Sequence, residues 1–279
     1  MKSVSTPRYH IEADEVQKEQ SWDMAIRFMV VLIACLMLVC SIFLLFMLLP
    51  GRTAATAAPE AKQTLSIDNT LPPTEDAGLS YQDALTFVGD SLTSHLKSRG
   101  VLSDGHATAQ VWATESGMLN LNSDITSAKI ICPGTEEAMT ISEAARVKQP
   151  PVLIVTLGTD WGVSYLSEAE FKHCYGKLIR SVKEASPDTV VVLQSIFPVL
   201  NSCAVLSNEQ IDRANGWVRE LAAAYDLPYL DTQSVLKDAN GALRAEYCNA
   251  DDGIHLTASA YRAILQYIRT HAVATVAAD

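Results

Sequence analysis

Short apolar runs alternate with longer amphipathic segments from about residue 84 to residue 272. The runs at 151–157 and 189–194 are almost entirely apolar, which is typical of strands buried on both faces of a parallel sheet. Segments with helical periodicity follow them, at 167–185 and 208–225. Strands that alternate with helices predict βαβ units, and therefore an α/β fold: a three-layer α/β/α sandwich around a mostly parallel sheet.

Shorter elements complete this predicted domain. We expect strands at 109–113 and 228–230, a helix at 140–147 and a final amphipathic helix at about 258–271. Thr140 and Glu143 have the spacing of a capping box, which supports a helix start at that point.

A different pattern precedes the domain. Residues 1–27 are polar and of mixed charge, whereas residues 28–49 are 22 uncharged, mostly apolar positions. At about 1.5 Å per residue this run crosses a hydrocarbon core of about 30 Å. A cleaved signal peptide is the alternative, with a small-residue site at 55–57, but its apolar run is usually about 7–15 residues. We therefore expect one uncleaved transmembrane helix.

The flanks of the span predict how the chain is organised. Four basic residues precede the span and two follow it closely, which favours a cytoplasmic N-terminus and an extracytoplasmic domain at the cell membrane. Residues 50–80 are rich in Ala, Thr, Pro and acidic side chains, which is typical of a linker. The predicted division is a cytoplasmic segment at 1–27, an anchor at 28–49, a linker at 50–80 and the α/β domain at 81–279.

The first candidate for chemistry is Gly89-Asp90-Ser91-Leu92. An apolar strand leads into it and a helix-like run follows, so the serine lies at the start of a helix. Its hydroxyl would lie at the carboxyl edge of the sheet, where open α/β sheets bind ligands. Its N–H is an unpaired donor of a helix N-terminus. The alternative is that Asp90 or Ser91 only caps the helix.

The second candidate is Asp252-Gly-Ile-His255, just before the final helix. A serine hydroxyl is a poor nucleophile and needs a base, which in turn needs an orienting carboxylate. Because Asp252 and His255 are three positions apart, one loop can supply both. We predict Ser91 as nucleophile, His255 as base and Asp252 as the residue that orients the imidazole. His95, four residues after Ser91, could mimic a base, but its helical position argues against that role.

This pair of motifs resembles that of the SGNH/GDSL hydrolase superfamily, over about residues 84–272. The resemblance implies a serine esterase of the GDSL-like lipase/acylhydrolase type, in its membrane-anchored bacterial form. It also implies an oxyanion hole built from the Ser91 N–H, a glycine N–H and an asparagine side chain. Gly117, in the segment 114–118 after a candidate strand, is the expected glycine; an ordinary turn glycine is the alternative.

The expected asparagine is replaced in this chain. The family usually has Gly-x-Asn-Asp where this sequence has Gly158-Thr159-Asp160-Trp161, so Asp160 takes the asparagine's position in the oxyanion hole. A carboxylate repels a developing oxyanion unless it is protonated or turned away. We therefore expect weak hydrolysis of a simple activated ester, and faster hydrolysis in an Asp160→Asn variant.

Charge, motif spacing and cysteine content indicate which partners, cofactors and disulfides to expect. The net charge of −11 argues against a nucleic-acid partner. Zinc-binding spacings and a phosphate-binding glycine loop are absent from the sequence, so we expect neither a metal nor an organic cofactor. Four cysteines lie in the predicted outside domain, where three disulfide pairings are available; Cys203–Cys248 is the pair we hypothesise. The four are Cys132, Cys174, Cys203 and Cys248.

These features predict an extracytoplasmic serine esterase that cleaves an acyl ester. The resemblance to anchored members of the family implies O-acetyl groups of cell-wall or surface carbohydrate as a candidate substrate. One alternative is an SGNH-type O-acyltransferase acting on a glycan, which forms the same acyl-enzyme. Another is a catalytically silent wall-binding domain with the same fold. Trp112, Trp161 and Tyr165 are candidates for stacking on a sugar, with core or rim packing as the alternative.

Overall fold

The computed structural model describes residues 69–135, 137–249 and 252–274, together with Met29 and Met37. The chain divides into two compact units, residues 1–60 and 61–279. In the first unit the two described methionines are helical, and the rest of the predicted anchor at 28–49 lies outside the described residues. Within the described ranges, no helix combines the length and hydrophobicity that crossing a bilayer requires.

The second unit is built on a five-stranded parallel sheet with the spatial order β2-β1-β5-β6-β7. A separate antiparallel hairpin pairs β3 with β4. In chain order the strands are β1 (Leu85–Gly89), β2 (Val111–Trp112), β3 (Lys129–Ile131), β4 (Ala138–Thr140), β5 (Val152–Thr156), β6 (Val190–Gln194) and β7 (Tyr229–Leu230).

Seven α-helices are described in this unit. They are α1 (Gly78–Asp83), α2 (Ser91–Ser98), α3 (Ile141–Lys148), α4 (Glu168–Ala185), α5 (Asn208–Tyr225), α6 (Gln233–Leu236) and α7 (Ala258–Arg269). Two 3₁₀ turns, Gly105–Ala107 and Ala245–Tyr247, lie between them. Capping boxes begin α3, α4 and α5, where Thr140, Ser167 and Ser207 each exchange hydrogen bonds with a residue three positions later.

The sheet has an apolar core on each face. Alternate strand residues point to opposite faces, so Val155 joins the core covered by α3, α4 and α5. Its neighbour Ile154 joins the core covered by α1, α2, α6 and α7. Helices therefore cover both faces, and the predicted α/β fold with a mostly parallel sheet is confirmed.

Three details differ from the sequence-based expectations. The β3–β4 hairpin was not predicted, because three-residue strands carry almost no periodicity. Part of the segment predicted as linker packs on the domain: Leu71 is buried and its N–H donates to the Tyr229 carbonyl. The four cysteines within the described ranges have free thiols, so the hypothesised Cys203–Cys248 disulfide is not formed.

The strand order locates a crevice at the carboxyl edge of the sheet. The chain runs from β1 outward to β2, then returns to the other side of β1 and continues through β5, β6 and β7. The loops after β1 and β5 therefore leave in opposite directions and open a crevice between them. Open α/β sheets bind their ligands at such a reversal of strand order.

Candidate active site

Ser91 lies at this reversal, as the first residue of α2 directly after β1. A Cβ atom on Gly89 would come within 2.1 Å of the Thr156 carbonyl oxygen and of the Thr93 hydroxyl. The close approach of β1 to β5 and to α2 therefore requires glycine at position 89. It brings the loop after β5 next to the start of α2.

Asp90 is the N-cap of α2 and is fully buried. One carboxyl oxygen accepts from the Leu92 N–H at 3.3 Å, and the other accepts from the Thr159 N–H at 2.9 Å. Asp90 thus joins the loop after β1 to the loop after β5. Burial, followed by the nearby charge of Asp160, raises the pKa of Asp90 to about 7. Because Asp90 caps the helix, the Ser91 hydroxyl is not needed as a cap and can form a different hydrogen bond.

That contact is with Asp160. The Ser91 N–H donates to one carboxyl oxygen of Asp160 at 2.9 Å, and the Ser91 hydroxyl donates to the other at 2.6 Å. Asp160 is therefore not turned away from the site: it faces Ser91 and accepts both of its donors. The single proton of the serine hydroxyl points at this carboxylate.

Asp252 holds His255 in a similar way. One carboxyl oxygen of Asp252 accepts from the N–H groups of Ile254 and His255, at 2.7 and 2.8 Å. The other is hydrogen-bonded to His255 Nδ1. Burial raises the pKa of Asp252, but the hydrogen bonds from His255 and Ile254 outweigh burial and lower that pKa to about 2. Asp252 therefore remains ionised and fixes the imidazole with Nε2 away from the carboxylate.

The His255 loop lies against the helix that begins at Ser91. The rings of His95 and His255 have centroids 4.7 Å apart and are tilted by 39°. The buried Tyr261 hydroxyl, on α7, donates to the Leu92 carbonyl at 2.7 Å. The loop that carries His255 therefore packs against the helix that begins with Ser91.

His95 has an unexpected place in this contact. Its Nδ1 is buried without a hydrogen-bond partner among the described residues. Burial, and then the proximity of His255, lower the pKa of His95, because two imidazoles this close disfavour a charge on either. Because His95 is four residues after Ser91, the sequence predicts that both side chains lie on the same face of α2. Nothing in the sequence indicates that the His255 loop covers that face.

Gly117 lies beside α2, in the loop after β2. A Cβ atom there would be 3.0 Å from the Ser94 hydroxyl oxygen, and the positive φ of 75° also favours glycine. The Gly117 N–H donates to the Thr114 carbonyl at 2.9 Å, within a turn. Its role as an oxyanion donor stays a prediction, since it requires this turn to release the N–H.

A groove of about 690 Å³ runs along α2, with Ser94 rather than Ser91 as its first lining residue on that helix. His95 and Gly117 line it, together with the hydroxyl groups of Ser94, Thr114 and Ser116. Apolar side chains from β2 and β3 also contribute to its lining. A groove with this mixture of groups suits a polar molecule with some apolar surface.

Of the three aromatic residues considered for stacking on a sugar, one lies in the core and two lie at the surface. Trp112 is 2% exposed and belongs to the core. Trp161 and Tyr165 are 39% and 64% exposed, and their rings stack with centroids 4.2 Å apart. Trp161 directly follows Asp160, so this exposed pair flanks Ser91 on the β5 side.

Comparison with solved structures finds low-identity similarity to GDSL-type proteins. A GDSL-like lipase from Bacteroides thetaiotaomicron is 15% identical, with 67% of this chain and 87% of that chain covered and a TM-score of 0.42. The lipase/acylhydrolase from Enterococcus faecalis is 17% identical, with 66% and 95% covered and a TM-score of 0.42. A peptidoglycan O-acetylesterase is 14% identical, with 46% and 38% covered and a TM-score of 0.39. No curated protein matches the chain.

These structures are too distant to assign the chain to a family, but a sequence model of one family matches it. The model of the GDSL-like lipase/acylhydrolase family matches residues 87–263, a range that includes Ser91, Asp252 and His255. The chain therefore belongs to the GDSL-like lipase/acylhydrolase family and is an ester-hydrolysing enzyme.

Proposed function

We propose that Ser91 is the nucleophile of this enzyme, with His255 as its general base and Asp252 as the residue that orients the imidazole. The main support is the position of a carboxylate-held imidazole against the first turns of the helix that begins with Ser91. The carboxylate on Nδ1 leaves Nε2 to accept a proton, which is the arrangement that serine hydrolysis uses.

In the proposed reaction, Ser91 Oγ forms a bond to the ester carbonyl carbon and its proton passes to His255 Nε2. The carbonyl π electrons move to the oxygen, and the N–H groups of Ser91 and Gly117 stabilise the oxyanion. When the oxyanion collapses, the bond to the alkoxy oxygen breaks and His255 protonates the departing alcohol. Water, deprotonated by His255, then releases the acyl group and restores Ser91.

We propose an O-acylated carbohydrate, with acetyl as the acyl group, as the substrate. The hydroxyl-lined groove along α2, which begins one turn beyond Ser91, and the exposed Trp161–Tyr165 pair next to Asp160 support this choice. A sugar ring offers both hydroxyl groups for such a groove and flat C–H faces for an aromatic ring.

The proposal also includes the location of the enzyme. Residues 28–49 anchor the chain in the cell membrane, and the excess of basic residues before them places the catalytic domain outside the cytoplasm. The full chain should then stay in the membrane fraction until detergent is added, and protease added outside intact spheroplasts should digest the domain. A full chain that is released without detergent would contradict this location.

The nucleophile is tested by labelling the full chain with a fluorophosphonate, which reacts with activated serines. We expect one label per chain, located on Ser91 and lost in Ser91→Ala. Ser94→Ala is the matched control, because Ser94 lies one turn further along α2 and its hydroxyl donates to the Ser91 carbonyl. Ester hydrolysis that persists in Ser91→Ala would overturn the proposal.

The transferase alternative shares the acyl-enzyme and differs only in what accepts the acyl group. With an acetylated sugar as donor, the acetate released into water and the acetyl transferred to a second glycan are measured together. We expect acetate as the main product; predominant transfer to the glycan would replace hydrolase with O-acyltransferase while keeping Ser91 as nucleophile.

A further inference from the structure

Asp160 accepts both hydrogen-bond donors of Ser91 that the proposed reaction needs. The serine N–H is required for the oxyanion, and the hydroxyl proton is required by the base. In the structure both are donated to the Asp160 carboxyl group, at 2.9 and 2.6 Å. An ester carbonyl cannot use the Ser91 N–H until this carboxyl group gives it up.

We propose that Asp160 is a protonation-dependent gate of the active site: its carboxylate form holds Ser91 in an inactive state, and its carboxylic acid form supplies an oxyanion donor. This inference rests on the proposed function, because it assumes that Ser91 is the nucleophile. It adds a regulatory role to that function.

The carboxylate form opposes the reaction in two ways. Its oxygen bonded to the Ser91 N–H occupies the position that the ester oxyanion would take, and its negative charge repels that oxyanion. Its other oxygen directs the Ser91 proton away from His255. The substrate must therefore displace a charged, well-hydrogen-bonded group before Oγ can attack.

The carboxylic acid form removes both obstacles. A neutral carboxyl group accepts hydrogen bonds more weakly than a carboxylate does, so Ser91 is released more easily. Its O–H can donate to the oxyanion, as the asparagine amide of the family motif would. The Asp160 proton is not consumed: the Ser91 proton passes to His255 Nε2 and then to the leaving alcohol, while Asp160 keeps its own proton.

Titratable groups from two elements lie close to Asp160. Asp90, from the loop after β1, is fully buried, and its pKa is raised to about 7 by burial and then by the charge of Asp160. A proton on either of these two carboxyl groups would relieve the repulsion between them. From α2, His95 also faces the site and feels the charges of Asp160, Asp252 and His255, with its own pKa lowered chiefly by burial.

The gate makes a quantitative prediction about pH. Wild-type enzyme needs a protonated Asp160 and a neutral His255, whereas Asp160→Asn needs only the neutral imidazole. The dependence on His255 cancels in the ratio of kcat/KM between variant and wild type. The ratio should be flat at low pH and then rise up to tenfold per pH unit as the gate loses its proton.

The test measures kcat/KM of the full chain for p-nitrophenyl acetate from about pH 5 to about pH 9, a range that includes the ordinary pKa of an imidazole. We expect Asp160→Asn to exceed wild type by at least tenfold at the alkaline end. Asp188→Asn is the matched control, because it makes the same change at an exposed position before β6, at the opposite edge of the sheet. Its ratio to wild type should stay near one at every pH.

Two results would overturn the gate: a ratio for Asp160→Asn that does not change with pH, or a variant slower than wild type throughout. Failure of the proposed function looks different. In that case the double variant Ser91→Ala/Asp160→Asn would still hydrolyse the ester, and neither wild type nor Asp160→Asn would carry a phosphonate on Ser91.

Discussion

Two carboxylates bind the proposed catalytic residues in similar ways, with opposite consequences. Asp252 accepts the N–H of His255 and is hydrogen-bonded to its Nδ1. Asp160 accepts the N–H of Ser91 and its hydroxyl proton. The first carboxylate binds the side of the imidazole that the reaction does not use, whereas the second binds the donors that the reaction does use.

The difference shows that a hydrogen bond to a catalytic residue has no fixed effect on catalysis. What matters is whether the bonded atom must be free in the transition state. His255 keeps Nε2 available, so Asp252 prepares it for proton transfer. Ser91 has only one N–H and one hydroxyl proton, and Asp160 accepts both of them. Neither is available to the reaction until the contact with Asp160 is broken.

The largest expected effect comes from Asp252→Asn. An amide at this position favours the wrong imidazole tautomer, and in a serine triad this change lowers kcat by about 10⁴-fold. Steady-state hydrolysis of an activated ester at neutral pH measures the loss. Asp188→Asn serves as the control for the charge change, and an Asp252→Asn enzyme with near-wild-type kcat would show that the carboxylate has no orienting role.

The next effect separates the two functions of Asp160. Asp160→Ala releases Ser91 without supplying a donor, whereas Asp160→Asn releases it and supplies an amide N–H. One oxyanion donor contributes about 10²–10³-fold to kcat. At about pH 8 we expect kcat to rank Asn above Ala and Ala above wild type. If Asp160→Ala were as fast as Asp160→Asn, the side chain at position 160 would not act as an oxyanion donor.

A smaller effect concerns the contact that holds the two regions together. Tyr261→Phe leaves the buried Leu92 carbonyl without the Tyr261 hydroxyl as donor, which should lower the free energy of unfolding by about 1–2 kcal/mol. For a domain of this size the midpoint of thermal unfolding falls by about 2–4 °C per kcal/mol. Tyr165→Phe, at an exposed site, is the matched control. An unchanged midpoint in Tyr261→Phe would mean that this hydrogen bond contributes nothing.

The smallest effect concerns the exposed aromatic pair on the Asp160 side. Trp161→Ala should raise KM for an acetylated sugar by about fivefold, since a stacked ring contributes about 1 kcal/mol. The KM for p-nitrophenyl acetate should change less, because that ester lacks the sugar. Val147→Ala, which also removes an exposed apolar side chain but on α3, is the control. Equal changes in KM for both esters would argue against a sugar-binding role.

The sequence predicted the elements far better than their contacts. The helix at Asn208–Tyr225 has the bounds that its periodicity indicated, and the box formed by Ser207 and Gln210 fixes its start. The predicted capping box of Thr140 and Glu143 is confirmed. These features are local, so neighbouring residues carry all the information that determines them.

The contacts of the site depend on strand order, which no local pattern reports. Ser91 and Asp160 are 69 positions apart and meet because β5 lies beside β1. The sequence identified Asp160 as the departure from the family motif, but its orientation depends on the buried cap at Asp90 and the close approach at Gly89. The contact of His95 with His255 depends on the same packing of α7 over α2, and was therefore missed.

The central claim is that the Asp160 carboxylate competes with the reaction for Ser91. The most direct measurement is the rate at which a fluorophosphonate labels Ser91 in the full chain at pH 8, in wild type and in Asp160→Asn, with the label located by peptide mass spectrometry. We expect labelling of Ser91 in both proteins, at least tenfold faster in Asp160→Asn. Equal or slower labelling of the variant would contradict it.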